Sequence, residues 1–144
     1  MYWFKFWGPA QAAANQQLTR QWWDERRDQF ELFVSQFVID ECSSGDSTAA
    51  CERLDKLAGI PWLDVTDEVY SLADALKGEL PLPEKAKVDS LHVAVTAVNG
   101  VQFLLTWNCK HIANASLRPR FEAVCRDFGY QPPTICTPQE LMEM

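Results

Sequence analysis

The chain lacks the patterns of most nucleotide-handling folds. Neither GxGxxG nor GxxxxGK[ST] occurs, and only 6 of the 144 residues are glycine. This excludes a dinucleotide-binding turn and a P-loop, whose glycines let the backbone approach phosphate. No GxSxG occurs either, which excludes a nucleophile elbow. The 5 cysteines, at positions 42, 51, 109, 125 and 136, include no CxxC pair. A structural zinc site or a disulfide framework therefore has no support, and reduced, packing thiols are expected. No uncharged apolar run approaches the ~20 residues that span a bilayer. The apolar start Met1–Trp7 is short for a signal peptide and lacks its basic leading segment. A soluble cytoplasmic protein with no membrane partner is the expectation. Positive charge is also scarce: 13 Lys and Arg stand against 20 Asp and Glu, for a net charge of −7. That excludes a general electrostatic grip on nucleic acid, but not a local basic rim or acids grouped around a divalent cation.

What remains is an ordinary globular composition, 47% hydrophobic and 23% charged, at single-domain length. The punctuation predicts alternating helices and strands. Gly8-Pro9 precedes a helix with Ala14, Leu18 and Trp22 on one stripe. Phe30–Val34 reads as a strand, and Ser35 caps a short helix reaching about Cys42. Asp46 caps the next helix, with Ala50, Leu54 and Leu57 inward and Gly59 as its stop. Trp62–Val65 reads as a short strand. Thr66 caps a helix with Val69, Leu72, Ala73 and Leu76 inward, ending at Gly78. The longest helix is Glu84–Asn99, with Val88, Leu91, Val95 and Val98 on one face. Val101–Leu105 is a buried strand. Ser116–Phe128 is a helix with Leu117, Phe121, Val124 and Phe128 in register. Thr134–Cys136 is a last strand, and Thr137-Pro138-Gln139-Glu140 is a capping box opening a brief helix. Such alternation predicts an α/β fold with a parallel sheet, whose sites form beyond the carboxyl ends of its strands.

Three polar residues fall near such places. Glu41 lies in an otherwise apolar stretch, Asp89 shares a side of the long helix with His92 and Thr96, and Asn108 follows a strand. Oxygen ligands converging from separate elements suit Mg²⁺ or Mn²⁺. Solvated surface charge and helix caps account for the same residues on pattern alone. His92, on an apolar helix face, reads as a packed core histidine before it reads as a base. Lys110, His111, Arg118, Arg120 and Arg126 form the densest basic zone. It is either an RNA-facing rim or a solvated helix face. Arg20, Arg26 and Arg27 stand among Asp24, Glu25 and Asp28, a mixture that reads as salt bridging along a helix. Trp22 and Trp23 lie about 100° apart on a helix, so one anchors the core and the other faces outward, where an interface favours it.

These motifs together resemble a known family. The segment Ser35–Asp46 (SQFVIDECSSGD) resembles the second acidic motif of PIN domains. Lys87–Ala94 (KVDSLHVA) resembles their Asp-bearing helix, and Leu104–Asn114 (LLTWNCKHIAN) the strand and turn that carry the next polar ligand. The resemblance covers about residues 19–144 and is greatest to VapC-like toxins of toxin–antitoxin pairs. It implies a single PIN-like domain over 1–144, a three-layer fold with a parallel sheet of about four to five short strands flanked by helices. It implies a Mg²⁺- or Mn²⁺-dependent endoribonuclease. Glu41 and Asp89 would be its metal-holding carboxylates, and Asn108 would stand where the family usually has Asp. Lys110, His111 and Arg118 would contact RNA. It further implies an antitoxin protein as partner and a homodimer.

The family's first strand ends in Asp or Glu followed by Thr or Ser. No such motif precedes Thr19 here, and the first acid in the chain is Asp24. Either that motif lies upstream of this start or the first ligand is missing. The second reading is a non-catalytic PIN-like interaction module with an incomplete metal site.

Overall fold

The computed structural model describes residues 2–3, 13–43, 47–79, 83–106 and 115–142. The element order is β1 (Tyr2–Trp3), α1 (Ala13–Glu25), a short 3₁₀ turn (Arg27–Gln29), α2 (Gln36–Cys42) and α3 (Ser47–Leu57). Then come α4 (Asp67–Lys77), α5 (Pro83–Val98), β2 (Phe103–Leu105), α6 (Arg118–Asp127), β3 (Thr134–Cys136) and α7 (Pro138–Met142). The architecture is mixed α/β. Among the described residues the sheet is parallel and small, in the order β1-β2-β3. Tyr2 pairs with Leu104 and Trp3 with Leu105, while Phe103–Leu105 pair with Thr134–Cys136.

Two expected strands contract to a single bridge, Val34 with Trp62. Val34 N–H donates to the Pro61 carbonyl at 3.0 Å, and Leu63 N–H to the Val34 carbonyl at 2.7 Å. Pro61 has no N–H to extend the ladder. On the other side Ser35 turns the chain straight into α2, where the Ser35 hydroxyl accepts from Phe37 N–H at 3.2 Å. The expected four to five strands are thus three, plus this bridge, among the described residues.

Thr66 stands at the N-cap of α4 as expected but makes no side-chain cap hydrogen bond, whereas other helix ends follow their expected signals. Gly100 and Gly129 close α5 and α6 at φ +70° and +86°, left-handed backbone that costs other residues about 1–2 kcal/mol. The capping box forms as expected. Glu140 N–H donates to the Thr137 hydroxyl at 3.3 Å, and Thr137 N–H to Glu140 Oε1 at 3.2 Å. The Asp46 cap and the Gly8-Pro9 start lie outside the described residues.

Helix α5 is the axis of the core. Val93, Ala94, Val95 and Ala97 are buried, as are Asp89, Ser90, His92 and Thr96. The expected single stripe is therefore corrected: elements cover α5 on most sides, so burial runs round it, and Val88 is left exposed. On α6, Phe121 and Cys125 face the core. Phe128, expected in register with them, is exposed because the helix stops at Asp127 and the chain turns. Trp22 is wholly buried against Phe30 at 5.9 Å between ring centres, and Phe30 meets Phe103 of β2 edge-on at 6.2 Å. Trp23 is half-buried and holds the Arg27 guanidinium 4.1 Å from its ring centre. Arg26 donates to the Leu141 carbonyl at 3.4 Å and so joins α1 to α7. Arg26 thus has a long-range partner in α7, and Arg27 a local one in the Trp23 ring four residues back. Among the described residues, no helix is long and apolar enough to cross a membrane.

Candidate functional site

Hydroxyls follow the isolated bridge and two strands of the sheet. Ser35 follows Val34, Thr106 follows β2 and Thr137 follows β3, and all three are buried. Thr106 N–H donates to the Cys136 carbonyl at 2.9 Å, extending the ladder one step beyond the strand. Parallel sheets place their sites on this side. Neither Ser35 nor Thr106 stands out in the sequence as a site residue. Their signal was a small hydroxyl directly after the last apolar residue of a strand.

Asp89 lies in the first half of α5, about 13 Å of helix before Val98 at 1.5 Å per residue. Asp89 is only 2% exposed. An ionised carboxylate so placed costs several kcal/mol unless its oxygens are partnered. One turn on, His92 is fully buried, and the Thr96 hydroxyl donates to the His92 carbonyl at 2.6 Å. The His92 ring meets Phe37 of α2 edge-on, 6.1 Å between centres. The packed reading of His92 is what these contacts describe.

Glu41 lies in α2, one turn beyond Phe37, and its side chain falls outside the described set. Asn108, Lys110 and His111 also lie outside the described residues. Arg118 is described. Its Nη2 is 3.4 Å from Glu140 Oε1, the carboxylate that caps α7. Arg126 pairs with Glu122 at 3.7 Å. Two cations of the expected basic rim are thus engaged in ion pairs on α6 and α7.

Buried acid and hydroxyl oxygens are hard donors, the class that Mg²⁺ and Mn²⁺ accept. The buried Asp89 carboxylate belongs to that donor class. Among the described residues, no group of three or more His, Cys, Asp or Glu is placed to hold a metal.

Two of the described thiols are held in their unreactive form. Cys125 and Cys136 are buried free thiols, and Cys51 is an exposed one. Burial pushes the Cys125 thiol up to about 11. Burial, with Glu140 adding to it, pushes Cys136 up to about 12. Both stay protonated at neutral pH, and the thiolate is the reactive form. A thiol reagent at pH 8 should label Cys51 rapidly and spare Cys125 and Cys136 until denaturant is added. A raised thiol value also sets a sign. The fold binds these protons more tightly than the unfolded chain does, so their stabilisation is complete below the ordinary value of 9.0. It is lost as pH climbs through about 11 and 12. Urea midpoints measured from pH 8 to pH 11 should fall over that range, and Cys136→Ala should flatten the fall.

No protein-family model matches the chain, and neither a curated protein nor a solved structure does.

Proposed function

We propose that the chain is a PIN-type, VapC-like endoribonuclease, with Glu41 and Asp89 as metal-holding carboxylates and Asn108 orienting water or substrate. One observation supports this above the others. The Phe37–His92 contact docks α2 on α5. Glu41 is one turn from Phe37, and Asp89 is one turn from His92, so both acids stand one turn from the same contact. A Mg²⁺ or Mn²⁺ ion held there would activate water for attack on a phosphodiester and offset the charge that develops. Burial keeps the Asp89 carboxylate apart from bulk water. The partners on this reading are RNA, an antitoxin protein and a second copy of the chain, in the cytoplasm.

A second reading is favoured by a different observation. β1 pairs in parallel with β2, yet no acid precedes Asp24 in the sequence. With one carboxylate fewer, cation affinity falls, and the chain would be a metal-independent binding module.

The test is to titrate Mn²⁺ into the purified chain and follow cleavage of a fluorescent RNA pool, beside Glu41→Gln. Metal-dependent cleavage that is lost in Glu41→Gln is the expected result. Absence of cleavage at every Mn²⁺ concentration, by a chain with a folded circular dichroism spectrum, refutes the nuclease and leaves the module.

A further inference from the structure

Most of the large apolar side chains are buried, but Trp62 is 54% exposed and Tyr70 is 51% exposed. Both are held against one short stretch of chain. Trp62 bridges Val34, and the Tyr70 ring meets Phe37 edge-on at 6.5 Å. Val34 and Phe37 are three residues apart, at most about 10 Å. The two rings therefore belong to one region of the surface.

That region carries charge of one sign. Asp64, Asp67, Glu68 and Asp74 are all exposed, and no Lys or Arg occurs between Lys56 and Lys77. On α4, Asp67, Tyr70, Ser71 and Asp74 recur at i, i+3, i+4 and i+7, while Val69, Leu72, Ala73 and Leu76 are buried. The outer stripe of the helix thus interleaves carboxylates with an open ring. The helix dipole accounts for Asp67 and Glu68 in the first turn. It does not account for Asp64, for Asp74 or for two aromatic rings open to solvent.

We propose that this face, Trp62 and Tyr70 set among Asp64, Asp67 and Asp74, docks a Lys- or Arg-rich segment of a protein partner. Cations lie favourably over the faces of Trp and Tyr, Arg more often than Lys. Flanking carboxylates would pair with the next cations along the segment, and opposite potentials speed encounter. The same charges disfavour the other occupants. Nucleic acid is repelled. A second copy meeting this face by two-fold symmetry would set Asp64, Asp67 and Asp74 against themselves. The inference does not depend on the nuclease reading.

The test uses the whole chain and a fluorescein-labelled peptide of alternating Arg and Ala, read by polarisation, with a Glu/Ala peptide as control. Trp62→Ala/Tyr70→Ala changes no charge and should weaken binding of the Arg peptide about tenfold. Asp64→Asn/Asp74→Asn should weaken it by a similar factor. Asp24→Asn/Asp28→Asn removes the same charge from exposed sites on and beside α1, and should weaken it less than about twofold. Equal losses in the two charge variants, or full binding by Asp64→Asn/Asp74→Asn, would reduce the attraction to the general negative field and overturn the proposal. So would an aromatic variant that folds and binds like the wild type. Conversion of a dimer to a monomer by the aromatic substitutions, or capture of a single-stranded RNA oligomer through the same residues, overturns it as well.

Discussion

Asp89→Asn should lower Mn²⁺-dependent RNA cleavage about 10²–10³-fold while the chain stays folded. That is the scale on which loss of one charge-stabilising group at a reacting centre is felt. The amide has nearly the volume of the carboxylate, so a side chain that is 2% exposed can be replaced without opening a cavity. What it lacks is the negative charge a hard cation requires. Mn²⁺ affinity, read by electron paramagnetic resonance, should weaken with the rate, and near-ultraviolet circular dichroism should not change. Cleavage at the wild-type rate would remove Asp89 from the metal site. A variant that unfolds would instead assign the carboxylate to the fold, and Glu41→Gln would then decide the nuclease reading.

Trp22→Ala should cost about 3–5 kcal/mol, the range for emptying an aromatic site in a packed core. Trp22 is fully buried and touches Phe30, which passes the contact to Phe103 of β2. Its loss would open a void beside Phe30. For a chain of this length the melting temperature should drop roughly 10–15 °C. Trp23→Ala removes a half-buried ring and its contact with Arg27, and should cost about 1 kcal/mol or less. Comparable losses from the two substitutions would mean that the adjacent tryptophans do not divide between core and surface as the contacts describe.

What could be read from the sequence was whatever is decided within a few residues. The capping box at Thr137–Glu140 joins partners three residues apart, and it forms as read. Gly100 and Gly129 end their helices because they take left-handed backbone. The contact between Glu140 and Arg118 spans 22 residues, so no local pattern announced it. Phe30–Val34 and Trp62–Val65 have strand composition, yet pairing depends on which backbone arrives alongside, and Pro61 brought no donor. Of the candidate site, Asp89 was legible as a polar residue on an apolar helix, and it is buried. Thr106 and Ser35 were not legible, because a hydroxyl after a strand looks like a helix cap.

The pairing of Tyr2 with Leu104 has a consequence for how the protein is made. The first strand leaves the ribosome without its neighbour, and about a hundred residues must follow before Leu104 emerges. At ordinary elongation rates that is a wait of roughly 5–20 s. During that time the aromatic pair Tyr2–Trp3 has no sheet to join. Nascent chains of this protein should therefore engage holding chaperones early, and release should coincide with synthesis of the segment around Phe103–Leu105.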